Sequence, residues 1–295
     1  MTELYLGKPP EHIKNWIIAH SKPKMTPLCF TAEEAGSTVR MESVDNAGPE
    51  VSLEYSTNGN NWSPFVVSKE GVEGTTVTLA NIGDKMYMRA TSEGNTGMGC
   101  YSADYYGFIY NRFMMAGKIS ASGNVDTLLN QNGNATLTLG CYYGLFEYCT
   151  SLTTAPELPA TTLANNCYYS MFNGCTSLTS APELPATTLA DYCYNGMFQG
   201  CLSLTTAPTI KTYTLGLNNS FTNMLKMWNS PEFKWGQLKQ CNWPDLTLSK
   251  AESMVLNESI FGNAGENGVI INITCKDGSA RAYFDTNKAN WVFER

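Results

Sequence analysis

Cys141, Cys167 and Cys193 stand 26 residues apart, and Cys149, Cys175 and Cys201 keep the same step. Phe146, Phe172 and Phe198 follow it, as do Leu152, Leu178 and Leu204. The words from Cys149 to Ala164 recur from Cys175 to Ala190 with Ser180 in place of Thr154. A period of 26 residues is too short for an independent domain, yet every copy carries apolar positions that need cover. Neighbouring copies therefore have to stack and share one core.

Within a copy, the pattern predicts a short helix. Asn165 or Asp191 can serve as N-cap, Cys167, Met171 and Phe172 follow at i, i+4 and i+5, and Gly174 or Gly200 supplies the left-handed residue that ends a helix. The following Ser-Leu-Thr-x-Ala-Pro is too short and too rich in Thr and Pro for a helix, so it predicts a brief strand pairing with the next copy. Pro159 and Pro185 turn the chain back. The cysteine ladder leaves two readings open, disulfides between rungs and small apolar core residues; register and residue type favour the core. The Cys-x7-Cys spacing without a neighbouring histidine does not fit zinc.

The Cys-Thr-Ser-Leu word and the segment ending in Phe-x-x-Cys resemble the BspA-like leucine-rich repeats over residues 135 to 208, and on to 225. The Leu-Pro-Ala-Thr-Thr-Leu-Ala and Cys-Tyr-x-x-Met-Phe wording is similar to the variant in gut Bacteroidetes and in the tailed phages that infect them, crAss-like phages among them. At the edges Tyr148 replaces the helix-ending Gly, Leu202 replaces the Thr of the strand word, and Ser220 to Leu225 is a degraded copy shifted by one residue. These departures suit end caps. The resemblance implies a leucine-rich-repeat (α/β) solenoid over 119–225. It further implies a non-enzymatic virion protein, a head or tail fibre, which by analogy with fibres is a homotrimer.

The repeat is flanked by different material. Leu28–Thr31, Ser37–Ser43, Val51–Tyr55, Phe65–Ser68, Thr75–Leu79 and Lys85–Ala90 are apolar runs separated by turn signals such as Asn58-Gly59, which predicts an antiparallel β-sandwich over 27–118. Ser56 to Trp62 is similar to the Asp-box hairpin of sialidases but one residue short, so it predicts a tight turn with Trp62 packed beside it. Met98 to Ile119, rich in aromatics, runs the sandwich into the first coil, and Ile119 to Asn130 offers a short capping helix. Residues 226–295 are expected to form an α+β cap, with a helix near Leu246–Asn257 capped by Ser249 and a hairpin at Asp277-Gly278. Four of the six tryptophans, Trp228, Trp235, Trp243 and Trp291, fall there as core or subunit contacts. In residues 1–26, Ile13, Trp16 and Ile17 make an apolar stripe too narrow for a domain. It either packs back on the chain or docks to another protein, here the capsid or tail of the particle.

Composition narrows the chemistry. The chain of 295 residues has a net charge of −7, which opposes phosphate binding, so no nucleic-acid partner is expected. His12 and His20 are the two histidines, too few for a His-rich metal or acid/base centre. There is no phosphate-loop, zincin, nucleophile-elbow or dinucleotide fingerprint, and no cofactor or metal is expected. No apolar run reaches membrane length, so no membrane insertion is expected, and the N-terminus lacks a secretory pattern. The expectation is a protein made in the host cytoplasm and carried in the virion, with a host-surface glycan or protein as partner. A bacterial surface adhesin is the alternative. A glycan-processing enzyme using Glu157 and Glu183 is the third, although equivalent positions in successive copies suit solvated ladder residues. Between Lys118 and Lys211 there is no Lys or Arg, and Thr, Asn and Tyr there suit hydrogen bonding and stacking.

Overall fold

The computed structural model describes residues 26–211, 220–225, 240–244, 246–247, 270–285, 287–288 and 290–294. The docking stripe of Ile13, Trp16 and Ile17 lies outside the described residues, as do Trp228, Trp235 and the expected helix from Ser249 onward.

Residues 27–122 form two sheets. Strands β1 (Leu28–Ala32), β3 (Leu53–Ser56), β4 (Ser63–Phe65), β6 (Lys85–Ala90) and β9 (Ile119–Ser122) pair antiparallel in the order β9-β1-β6-β3-β4. Opposite them, β2 (Ser37–Ser43), β5 (Thr76–Leu79), β7 (Gly99–Ser102) and β8 (Gly107–Ala116) pair in the order β5-β2-β8-β7. Alternation decides which faces are buried: Val39 and Met41 of β2 and Met86 and Met88 of β6 point inward. Phe30 of β1 meets Phe113 of β8 edge-on at 4.9 Å, joining the two inner faces. The Ser56–Trp62 turn is a tight one. Asn58 Oδ1 accepts from the amides of Asn60 and Asn61, and the Arg89 guanidinium lies 3.7 Å from the Trp62 ring centre while bonding Glu54.

The expected α/β solenoid and α+β cap are overturned. No α-helix occurs among the described residues, whose only helical elements are 3-10 turns at Val44–Asn46 and Val125–Leu128. Ile119 to Asn130 accordingly holds β9 and the second of these turns in place of a capping helix. Copies of the repeat do stack, but through a ribbon of turns. Residues 140, 144 and 148 have positive φ, as do 166, 170 and 174, and then 192, 196 and 200. A left-handed residue every fourth position cannot belong to an α-helix. It reverses alternate peptide groups, so the amides divide their bonds. Tyr143, Leu145, Glu147 and Cys149 donate back three residues within the coil, whereas Tyr142, Gly144, Phe146 and Tyr148 donate to the carbonyls of Cys167, Tyr169, Met171 and Asn173 in the next. Coil 2 repeats this toward coil 3, with Asn166, Tyr168, Ser170, Phe172 and Gly174 as donors. Asn165, expected as an N-cap, accepts from the Asp191 amide one coil on.

The Leu-containing rung is a strand only in coil 1, where β10 (Leu152–Thr154) adds to β9 in parallel. Later rungs meet through single bridges, Thr154 with Ser180, Thr162 with Thr188 and Leu184 with Ile210. The degraded copy does continue the stack one residue out of step: Tyr194, Gly196 and Phe198 donate to Ser220, Thr222 and Met224.

In the C-terminal region the described residues form strands where a mixed α+β cap was expected. β11 (Gln240–Trp243), β12 (Ile271–Cys275), β13 (Gly278–Asp285) and β14 (Asn290–Glu294) lie in that order, β11 and β12 parallel and the rest antiparallel. The Asp277-Gly278 hairpin joins β12 to β13, with Cys275 opposite Gly278. β11 extends the rung ladder by accepting from Ala207 and Ile210, and buried Trp243 packs on Phe221 at 5.6 Å.

Candidate interaction surface

Turn geometry sorts each coil's side chains into columns along the stack. The predicted repeat residues all lie inside it: Cys141, Cys167 and Cys193; Phe146, Phe172 and Phe198; Cys149, Cys175 and Cys201; Leu152, Leu178 and Leu204. Phe113 extends the phenylalanine column into the sandwich. Rings stack from Phe113 to Phe146 (5.1 Å), Phe172 (5.3 Å) and Phe198 (5.4 Å). The Phe113 amide donates to Leu145 as the Phe146 amide donates to Met171, so β8 templates the first coil. That role was hidden from sequence because β8 carries no repeat word.

All ten cysteines are free thiols. Cys149, Cys175 and Cys201 each donate S–H to the carbonyl of the phenylalanine one layer back, Phe113, Phe146 and Phe172, at 3.0, 3.1 and 3.2 Å. Burial raises their pKa and pushes Cys141 up to about 12 and Cys193 to about 11, which keeps the thiols protonated and unreactive. A second buried column, Tyr142, Tyr168 and Tyr194, stacks at 5.7 and 6.0 Å. At its first layer the Tyr142 hydroxyl donates to Asp126 Oδ1 at 2.8 Å. Asp126 is buried, and desolvation lifts its carboxyl to about 6. Nothing in the repeat pattern signalled this group.

Residues that miss the interior line the outer turn face in three columns: Leu139, Asn165 and Asp191; Tyr143, Tyr169 and Asn195; Glu147, Asn173 and Gln199. Phe108 of β8 stacks on Tyr143 at 4.7 Å, and Tyr143 on Tyr169 at 4.8 Å and 3°. Glu147 is fixed by the Tyr110 hydroxyl (2.6 Å) and the Asn173 amide (3.0 Å). Arg112 is engaged by Glu42 at 2.9 Å and lies over Tyr148.

Glu157 and Glu183 lie elsewhere, exposed along an open groove of about 380 Å³ that Pro156, Pro159, Pro182 and Pro185 also line. Among the described residues no group of three or more His, Cys, Asp or Glu is arranged to hold a metal ion, and no helix is long and apolar enough to cross a membrane. The arrangement suits presentation of a fixed surface. No family model, curated protein or solved structure matches this chain.

Proposed function

We propose that the chain is a non-enzymatic virion protein of a Bacteroidetes phage, a head or tail fibre, docked to capsid or tail proteins by residues 1–26 and displaying its coils to the host surface. The kinship with BspA-like repeat proteins on which the phage assignment leans is part of this proposal. The observation that supports it most is the layer-to-layer backbone bonding among the described residues, which runs on the turn face from β8 through the coils to residues 220–225 and on the rung side from β9 to β11. Buried side chains are spent on sealing one layer against the next, which produces a stiff spacer with a different sheet structure at each end. Thiols and phenols within it are held protonated by burial, the opposite of the activation that a nucleophile requires. A homotrimer fits the fibre role.

Mass spectrometry of purified particles tests the reading directly. The chain is expected in the virion, and deletion of residues 1–26 is expected to leave a folded protein that no longer incorporates. Particles devoid of the chain would refute the assignment, and undiminished incorporation of the truncated chain would refute docking through this segment.

A further inference from the structure

Three tyrosines occupy backbone positions that disfavour them. Tyr106, Tyr148 and Tyr192 have φ of 50°, 59° and 57° and are 90%, 49% and 38% exposed. A bulky L-residue in the left-handed region is strained, and such strain concentrates where function retains it. Apart from the Arg112 guanidinium lying over the Tyr148 ring, the coil architecture does not call for tyrosine at these places. Where coil 1 has Tyr148, coils 2 and 3 have Gly174 and Gly200; where coil 3 has Tyr192, coils 1 and 2 have Gly140 and Asn166. Tyr148 and Tyr192 border the outer turn face, and Tyr106 lies two residues before Phe108, whose ring stacks on Tyr143 of that face. Tyr106 ends the turn that leads into Phe108, Tyr148 adjoins Glu147, and Tyr192 sits beside Tyr169. Tyr101, half exposed, meets Phe108 at 5.7 Å and lengthens the same band.

We propose that this tyrosine band is where the chain holds an uncharged glycan. The proposal rests on the host-surface reading above and names the partner's chemistry. Tyrosine combines a flat apolar ring with a hydroxyl at low entropic cost, matching a sugar's C–H face and its rim of hydroxyls. Charge narrows the class. No Lys or Arg occurs from 119 to 210, and Arg112 is already bonded to Glu42, so the band offers no open cation to a sulfated, phosphorylated or carboxylated sugar. Glu147 is held in place by Tyr110 and Asn173, one on each carboxylate oxygen, and each oxygen keeps a second lone pair that can accept from a hydroxyl. The outer columns recur coil after coil, which suits a ligand that also repeats. A protein partner would want an apolar centre to the contact, and Leu139 is the one exposed aliphatic side chain among the described residues of the band.

The test is an array of immobilised neutral, sialylated and sulfated glycans, probed with the full chain and with the Tyr148→Gly/Tyr192→Asn double variant. Both substitutions install residues that other coils already use at these positions, so the melting temperature is expected at or above the parent's. Neutral glycans should give the signal, and the double variant should lose at least about tenfold of it. Tyr106→Gly, in the exposed β7–β8 turn, should weaken the same spots without touching the coils. Absence of any signal, signal confined to sialylated or sulfated spots, or signal unchanged in these variants overturns the proposal. A fall in melting temperature of the double variant, with Tyr106→Gly binding as the parent, does so too, because the tyrosines are then structural. Failure of the virion reading is separately visible. Particles lacking the chain would leave the array result standing, whereas particles carrying the double variant that still adsorb normally would overturn the site alone.

Discussion

Asp126 shows how one buried charge sets a pH dependence. Its carboxyl titrates near 6 against an ordinary 3.8, because burial penalises the anion more than the Tyr142 hydroxyl bond favours it. Between these values the folded chain binds more protons than the unfolded one. Stability from this group is therefore full below about pH 4, falls as pH rises to about 6 and is level above that. The shift corresponds to about 3 kcal/mol at neutral pH. Asp126→Asn is expected to flatten denaturant midpoints across pH 4 to 6 and to raise the midpoint at pH 7; a loss of stability at pH 7 would show that the anion is needed. The thiols make a second case. Cys100 is half-buried, whereas the other nine are buried. Alkylation of the native protein should modify Cys100 first and leave the six repeat cysteines unreacted, while unfolding without reductant should expose all ten. Fewer than ten reactive thiols would indicate disulfide rungs.

At the scale of the element, the 26-residue coil was legible and its internal conformation was not. The spacing of Cys141, Phe146, Cys149 and Leu152 gives the stacking register, since equivalent apolar residues must face the same interior. The i, i+4, i+5 spacing of Cys167, Met171 and Phe172 suits one face of a helix. A ribbon of turns with a reversal every fourth residue places the same three side chains inward. The discriminating signal was present in Gly140, Gly144, Gly174, Gly196 and Gly200, all at positive φ, but Asn166, Ser170, Tyr148 and Tyr192 at equivalent positions concealed the period of four. The tyrosine band was hidden for the same reason, since exposure on the turn face follows from that period and not from helical spacing. One substitution separates the two conformations by sign. Inside a helix Gly196→Ala would stabilise by about 1 kcal/mol; at φ of 61° it should destabilise by about 1–2 kcal/mol. The added Cβ would stand 3.2 Å from Ser170 Oγ, a close but yielding contact. Thermal unfolding of the variant decides between them.

Across the whole molecule, neither end of the stack is left open. At one end β8 and β9 of the sandwich supply layers in coil register, with Phe113 before Phe146 and Ile119 paired to Leu152. At the other, Phe221 and Trp243 close the Tyr142–Tyr168–Tyr194 column, and β11 takes the last described rung. The apolar interior runs through all of these pieces as one cluster. Its stability should then be close to a sum over like interfaces between fixed ends, as expected for a one-dimensional array. Removing residues 166–191 brings coil 3 onto coil 1 in register: Tyr194 replaces Tyr168 against Tyr142, Phe198 replaces Phe172 against Phe146, and the Cys201 thiol meets the carbonyl of Phe146. That deletion should fold and melt in a single transition at a somewhat lower temperature. Removing only 166–178 brings unlike halves of a coil together, placing Ala181 where Tyr168 belongs and Pro185 where Phe172 belongs, and should abolish cooperative unfolding. Equal outcomes for the two deletions would mean that the contacts between coils do not carry the fold.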